Sequence, residues 1–220
     1  MTKTPVRRAI VTCGPAYAPI DEVRRITNHS TGRLGCMLSN RLARAGWEVI
    51  CLKGVAATYS EPMEPGVDLV GFSTNDDLLD RWRAVEDKES IAAVFHAAAL
   101  TDFKVKEVSS ATGEELDPHK ISSRAGELTV TLTPAIKLIG ELRPLFPSAR
   151  LAGWKYELSG TREDALGKGE RQLTENRTDA CVVNGRAYGD GFGVVRPGET
   201  LVDLPSVEAL CEWLVGWAGE

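Results

Sequence analysis

Apolar positions recur along the chain in two alternating rhythms. Arg8–Cys13 is a short apolar run that reads as a first strand. Over Ser30–Ala45, the residues Leu34, Leu38, Leu42 and Ala45 share one face of a helix that Gly46 ends. Glu48–Leu52 and Asp68–Phe72 read as further strands, and Asn75–Ala84 as a helix opened by Ser73-Thr74. Ile91–Ala97 is an unbroken apolar run, the pattern of a strand buried on both faces of a parallel sheet. Pro134–Leu142 reads as helix, Arg150–Trp154 as strand, Arg162–Leu173 as helix, Ala180–Val183 as strand and Ser206–Trp217 as a terminal helix. Strands and helices alternating at this spacing predict a parallel sheet with right-handed crossovers. The expected class is α/β, a three-layer Rossmann-like fold with a mainly parallel sheet.

Two stretches break the rhythm. Thr101–Arg124 is long, charged and without apolar period, and Gly126–Leu132 alternates like a strand of a hairpin outside the main sheet. Residues from about 101 to 132 are therefore expected to protrude as a flap, because long irregular segments in compact domains are commonly lids or binding loops. Gly189–Val202, with Phe192, Val194 and Val195 among glycines, reads as a second hairpin or edge element. There is no internal repeat, low-complexity tract or linker, so 1–220 reads as one domain.

At 220 residues and 43% hydrophobic content, the chain can bury a sizeable core. Its net charge of −5 argues against nucleic-acid binding, and no apolar run approaches membrane-spanning length. The N-terminus leads straight into a strand, so no signal peptide and a cytoplasmic location are expected. Cys13, Cys36, Cys51, Cys181 and Cys211 are odd in number, scattered and without a CxxC pair, which reads as reduced core thiols. Cys13 stands apart, at a strand end beside the richest loop. His29, His96 and His119 have no metal-ligand spacing, so no metal site is read; His96 sits in an apolar strand as a core histidine. Trp213 and Trp217 read as core residues of the last helix or, if exposed, as a dimer surface.

In an open α/β sheet, ligands bind beyond the carboxyl ends of the strands. The segments there are Gly14–Thr31, Lys53-Gly54, Ala97–Lys104, Lys155–Glu157 and Asn184–Arg186, and they should converge on one crevice. The first is the most informative. A strand runs into Gly14-Pro15, a loop carries Asp21, Arg24, Asn28, Ser30 and Thr31, and Gly32 and Gly35 open a helix. Amides at a helix N-terminus, with small residues that allow close approach, suit an anionic ligand. The GxGxxG spacing is absent and no acidic residue ends the second strand, so NAD binding is not supported. Arg24 and Asn28 carry donors suited to carboxylate and phosphate oxygens; the bland alternatives are a solvated Arg24 and a helix-capping Asn28. Asp102 reads as a group for a ligand hydroxyl or a metal, or as a turn residue. Lys120 begins Lys120-Ile121-Ser122-Ser123-Arg124, a segment that brings charge onto a triphosphate or is simply solvated. No Ser/His/Asp pattern, P-loop or HExxH is present. None of Tyr17, Tyr59, Tyr156 and Tyr188 begins the Tyr-x-x-x-Lys pair of a short-chain reductase.

Gly14-Pro15, Pro19-Ile20-Asp21, Val23-Arg24 and Ile26–Gly35 resemble the signature loop of the phosphopantothenate–cysteine ligase family. The similarity continues through Ala97–Phe103, Lys120–Ser123 and Ala180–Asn184, in the same order along the chain. The resemblance implies a reaction in which a nucleoside triphosphate converts the carboxylate of 4′-phosphopantothenate to an acyl-nucleotide, which the cysteine amine then attacks. It implies CTP in preference to ATP, with Mg²⁺. It also implies that Asn28 holds the acyl-nucleotide, Arg24 its carboxyl region and Lys120 the flap charge. Gly14, Ser30, Thr31 and Gly32 would form a phosphate-binding wall. Ala98 and Asp102 would meet the nucleotide, Trp154 its base, and Lys168 with Arg171 the phosphates. The chain has Lys120-Ile121-Ser122-Ser123 where fused bacterial relatives have KIKK, closer to the stand-alone form. It has Gly153-Trp154-Lys155-Tyr156-Glu157-Leu158 where the family has GFAAET. No flavin-dependent decarboxylase half fits in this length, so no FMN is expected. A homodimer is expected, with Trp213, Trp217 and Gly126–Leu132 as contact surfaces. The alternative is a diverged nucleotide-binding relative without ligase activity.

Overall fold

β1 (Arg8–Cys13) runs up the middle of an eight-stranded sheet and is buried on both faces from Ala9 onward. The protein is seen in a computed structural model that describes residues 6–117, 119, 121–122, 124 and 126–220. After β1 comes a small hairpin of β2 (Tyr17–Pro19) and β3 (Arg25–Thr27), then α1 (Arg33–Arg44), β4 (Glu48–Gly54), β5 (Val67–Phe72) and α2 (Asn75–Ala84). β6 (Ile91–His96) is followed by an antiparallel pair, β7 (Phe103–Ser110) and β8 (Leu128–Pro134), which forms its own two-stranded sheet. A 3-10 turn at Leu138–Glu141 leads into the short α3 (Leu142–Leu145). The remaining elements are β9 (Arg150–Tyr156), α4 (Arg162–Asn176), β10 (Ala180–Asn184), β11 (Phe192–Val195), β12 (Val202–Leu204) and α5 (Val207–Gly219). The sheet order is β12-β11-β10-β9-β6-β1-β4-β5, with β5 through β10 parallel and β11 and β12 antiparallel at the edge.

Successive residues of a strand face opposite sides of the sheet, and β1 divides the core accordingly. Ala9 and Val11 pack with Leu38 and Leu42 of α1 and Leu214 and Trp217 of α5. Ile10 packs on the other face with Leu78 and Trp82 of α2, Leu138, Leu142 and Phe146. β10 does the same: Val182 joins the α1/α5 side, whereas Cys181 and Val183 meet Ala165 and Leu173 of α4. Among the described residues, no helix is long and apolar enough to cross a membrane.

The expected layers, parallel sheet, flap hairpin and edge hairpin are all present. Three local readings need correction. Helix α1 starts at Arg33 rather than Ser30, because Gly32 adopts a left-handed backbone (φ 79°) that cannot continue a helix. Pro134–Leu142 is not one helix: Pro134 closes β8, and Leu138 and Leu142 reach the core from a 3-10 turn and one helical turn. A short turn of that kind places both leucines inward as well as a helix would. The first loop holds the β2/β3 hairpin, and β7 comes from the stretch without apolar period. Both pairs are largely solvent-facing, and burial is what writes alternation into a sequence.

Trp217 is 5% exposed and stacks on Trp213 with ring centroids 6.0 Å apart, so this pair packs into the α5 side of the core; Trp217 offers no dimer face. All five cysteines are buried and unbridged. Burial pushes the lone Cys181 and Cys211 thiols up to about 12. The other three do not stay scattered. Cys13 of β1, Cys36 of α1 and Cys51 of β4 meet, with the Cys13 sulfur 3.9 Å from that of Cys36 and 4.0 Å from that of Cys51.

Gly35 is what lets α1 lie this close to β1. A Cβ on Gly35 would stand 2.2 Å from the Cβ of Cys13, an overlap that rotamer changes cannot relieve. Gly35→Ala is therefore expected to cost about 3 kcal/mol, at the upper end of ordinary overpacking, read as a lowered urea midpoint at unchanged m-value.

Candidate functional site

Strands β4 and β5 lie on one side of β1, and β6, β9 and β10 on the other. The connections leaving β1 and β6 therefore diverge, and the crevice between them is where an open α/β sheet binds its ligand. The backbone ladder runs on past the strand ends here. Ala97 N–H donates to the Thr12 carbonyl (3.1 Å), Ala99 N–H to that of Gly14 (2.9 Å) and Ala16 N–H to that of Ala99 (3.0 Å). These bonds place the Gly14 turn and Ala97–Asp102 side by side as the floor of the crevice.

Thr12 and His96 support that floor. Thr12 Oγ1 accepts from the Ala98 N–H (3.3 Å) and shares a 2.7 Å hydrogen bond with His96 Nδ1. Burial pulls the His96 pKa down to about 4, and the ring stays neutral against the edge of Trp82. His96 is the core histidine the sequence indicates, and it also lines the cleft described below.

Gly14 and Gly32 both take positive φ (76° and 79°), where a side chain strains the backbone. Each also lacks room for a Cβ, which would meet Ala57 Cβ at 2.7 Å from Gly14 and 3.1 Å from Gly32. Their backbones thus touch at the N-terminus of the twelve-residue α1, whose cap, Gly32, has no side chain to fill the first amides. Thr31 Oγ1 takes the Arg33 N–H (3.3 Å), Ser30 is half-buried nearby in sequence, and α1 has no acidic residue in its first turn. Gly14, Ser30, Thr31 and Gly32 therefore gather where dipole and free N–H groups favour an anion.

Asn28 does not cap α1. It lies four residues before the cap and its Nδ2 donates to the Leu100 carbonyl at 2.6 Å, spanning the crevice from the β1 loop to the β6 loop. Its Oδ1 has no partner among the described residues. Arg24 is placed differently from a free ligand-binding arginine. Its guanidinium pairs with Asp21 (2.7 Å) and donates to the Ile121 carbonyl (3.1 Å), which leaves the side chain less than half exposed. Burial by itself would raise Asp21, but the N–H groups of Arg24, Val23 and Ile121, together with the Arg24 charge, hold its carboxyl below the usual range. Asp21 and Arg24 latch the flap onto the first loop, and His119 adds a 3.0 Å contact to Glu22. Lys120, the residue between, lies outside the described residues.

A cleft of about 630 Å³ opens beside Asn28, between the β6 loop, the end of β9 and the face of α4. Five residues to which the resemblance gives nucleotide contacts line it: Ala98, Asp102, Trp154, Lys168 and Arg171. Asp102 is exposed, and its carbonyl accepts from Ala135 N–H (2.9 Å) at the flap base. Leu100, which holds Asn28, is also part of the wall, so Asn28 joins this cleft to the α1 terminus. Glu157 organises the basic side. It takes a hydrogen bond from Lys168 and stands 3.7 Å from Lys155, its own side chain 14% exposed. Among the described residues, Lys137 and Arg171 on the same wall form no ion pair. Trp154 Nε1 and Gln172 Nε2 are buried donors without a partner among the described residues. Gln172 fits only because a Cβ on Gly153 would overlap it at 2.1 Å.

The sequence missed three positioning groups: Asp21 as a latch, Glu157 as a lysine holder, and Asn75. Asn75 is buried at the start of α2, where its type indicates only a helix end. Its Nδ2 donates to the carbonyls of Thr101 (2.9 Å) and Ile136 (3.4 Å), and its Oδ1 accepts from the Thr101 N–H and hydroxyl (both 3.3 Å). It ties both roots of the flap to the sheet.

Residues 5–208 match the family described as the DNA/pantothenate metabolism flavoprotein C-terminal domain. Among curated proteins, the chain is 32% identical over 207 residues to the coenzyme A biosynthesis bifunctional protein CoaBC of Vibrio parahaemolyticus, covering 91% of this chain and 49% of that protein. It is 28% identical over 206 residues to a cysteine/cysteine sulfinic acid decarboxylase of an unknown prokaryotic organism, covering 90% and 51%. The chain thus spans about half the length of the curated relatives it matches. Among solved structures, the fold is shared with a DNA/pantothenate metabolism flavoprotein from Streptococcus pneumoniae (TM-score 0.85, 23% identity, 97% of this chain and 99% of that one). It is also shared with a Cab2 mutant in complex with phosphopantothenate-cysteine (TM-score 0.69, 17% identity, 97% and 89%).

Two outcomes follow from the site's supports. Asn75→Ala leaves the Thr101 amide and carbonyl unpaired and is expected to lower stability by about 2–3 kcal/mol in urea unfolding. The unfolded His96 takes up a proton below about 6.5 and the native one only below about 4. Stability should therefore fall as pH drops through that window, by up to about 3 kcal/mol, and level off beneath it. His96→Asn, which keeps a hydrogen-bonding partner for Thr12 but does not titrate, should flatten that part of the stability–pH curve.

Proposed function

We propose, because this chain belongs to the DNA/pantothenate metabolism flavoprotein C-terminal domain family, that it joins 4′-phosphopantothenate to L-cysteine at the expense of a nucleoside triphosphate. The observation that carries the reading is the Asn28 amide bridged to Leu100 at the crevice, with Asp102, Trp154 and Lys168 lining the cleft beside it. Support also comes from relatives named as coenzyme A biosynthesis proteins and from the shared fold of a structure holding phosphopantothenate-cysteine.

In the proposed reaction, a carboxylate oxygen of 4′-phosphopantothenate attacks the α-phosphorus of the nucleotide. Its bond to the β-phosphate oxygen breaks, and pyrophosphate leaves. The cysteine amine then attacks the acyl carbon, the bond from that carbon to the bridging oxygen breaks, the nucleoside monophosphate departs with that oxygen and the bonding electron pair, and the amine loses a proton. Both steps require charge neutralisation and alignment more than a protein nucleophile. Asn28 holds the mixed anhydride through Oδ1 while Nδ2 stays on Leu100. The α1 terminus, with Gly14, Ser30, Thr31 and Gly32, receives a phosphate. Trp154 stacks on the base, and Asp102 meets the nucleotide. Lys168, Arg171 and Lys137 balance the triphosphate, Lys168 exchanging its bond to Glu157 for a phosphate oxygen. Arg24, held on Asp21, acts on the carboxyl region, and Lys120 brings flap charge. CTP is preferred to ATP, and Mg²⁺ accompanies the triphosphate, screening oxygens that hard cations favour. The working unit is a homodimer whose contact is the flap sheet, where Phe103, Leu128 and Leu132 are 52%, 37% and 44% exposed.

Incubation with 4′-phosphopantothenate, cysteine, Mg²⁺ and either CTP or ATP should yield the amide and pyrophosphate, detected by mass spectrometry and a coupled assay, with the larger rate for CTP. Asn28→Asp, which puts a negative charge beside the anhydride, should lower that rate by about 10²–10³. Nucleotide binding without product from either nucleotide would favour the diverged, non-ligase reading. Sedimentation of the same preparation as a monomer would remove the homodimer.

A further inference from the structure

The three-thiol cluster behind the crevice is used by none of this chemistry. Cys13 ends β1, Cys36 lies in the first turn of α1 and Cys51 is inside β4, each no more than 1% exposed. Their sulfurs all lie within 4.8 Å of one another, and those of Cys36 and Cys51 stand 3.9 and 4.0 Å from that of Cys13. We propose that Cys13, Cys36 and Cys51 form a buried three-sulfur site for one soft monovalent metal ion, Cu(I).

The geometry selects this class. With two sides of 3.9 and 4.0 Å and a third no longer than 4.8 Å, the thiol triangle has its centre roughly 2.3–2.5 Å from each sulfur, close to the usual metal–thiolate distance of about 2.3 Å. Soft sulfur ligands favour Cu(I) and Zn(II), and Zn(II) demands four ligands in a tetrahedron. Tyr59, Met63 and Val67 pack against the three cysteines, and the group in this cover suited to a weak fourth contact with a soft ion is the Met63 thioether. Cu(I) accepts three thiolates with or without such a weak fourth contact. The Lys53 ammonium donates to the carbonyl of Tyr59, a residue of the cluster's cover, and its charge offsets part of the negative charge of a trithiolate complex. No electron moves on binding: copper enters and stays as Cu(I), three S–H bonds break, three Cu–S bonds form, and the protons leave to solvent. The entry path is the irregular 55–66 segment over the cluster, which has no helix or strand of its own. The bound ion ties β1, α1 and β4 together one residue before Gly14, and so stiffens the turn that builds the crevice floor.

The test is a titration of the reduced full chain with Cu(I) under anaerobic conditions against a chromophoric Cu(I) chelator. One ion per chain should be withdrawn from the chelator, with sulfur-to-copper charge-transfer absorption in the ultraviolet and a higher Tm. Cys36→Ala should weaken binding by about 100-fold or more, a loss that even outer-shell changes produce at metal sites, while Cys211→Ala should match the parent. Should Cys36→Ala fail to fold, X-ray absorption of the parent decides: three sulfur neighbours at about 2.3 Å are expected. Equal binding by Cys36→Ala and the parent, a shell dominated by nitrogen or oxygen, or tighter retention of Zn(II) than of Cu(I) would each overturn the proposal.

Discussion

The site depends on one constraint: the pairing of β1 with β6 does not stop where the sheet stops. The bonds from Ala97, Ala99 and Ala16 carry it three residues beyond each strand, and Asn28 closes it with a 2.6 Å bond to Leu100. A loop of this length would otherwise carry many unpaired amides and a large conformational entropy. Here its two ends are held by ladder bonds, and the Asn28 acceptor face and the α1 amides face the crevice. The glycines serve the same constraint. Gly14 and Gly32 are admitted at positive φ because the two backbones must touch at Ala57.

Around that floor, charge is arranged in pairs that are held until a ligand arrives. Glu157 gathers Lys155 and Lys168, whereas among the described residues Lys137 and Arg171 stand without ion pairs on the same wall. In the proposed reaction, exchanging one carboxylate for phosphate oxygens keeps the lysines in a polar setting throughout, which lowers the desolvation cost of loading an anionic nucleotide. Asp21 plays the opposite part. Fully buried, bonded by three backbone amides and paired with Arg24, it has no reason to release its partners, and so it fixes the flap onto the first loop.

Helix α1 carries both ends of this arrangement. Its N-terminus presents amides to the crevice, and its first turn packs Cys36 against Cys13 and Cys51. The contact that permits both is Gly35 on Cys13. Anion site and thiol triangle are therefore one mechanical unit, and a change on either side of Gly35 is felt on the other.

The element order, the parallel core strands and the two hairpins were legible in the sequence, because burial on one face or both writes a period into neighbouring residues. β1 and α2 match their sequence limits to the residue, and the chemistry of Gly14–Gly35 was visible because it lies within one loop and one helix start. Periodicity is silent wherever a segment faces water, as in the β2/β3 hairpin and β7, and it overextends where two core leucines follow one another at helical spacing, as at Leu138 and Leu142. What only the tertiary structure decided is which distant side chains meet. Asn75 reaches Thr101 and Ile136, Asp21 reaches Ile121, and Glu157 reaches Lys168. Cys13, Cys36 and Cys51 converge although no motif spacing links them. Each of these meetings is made by a crossover that returns the chain to the sheet, and its partner is set by strand order and register, which local sequence does not encode.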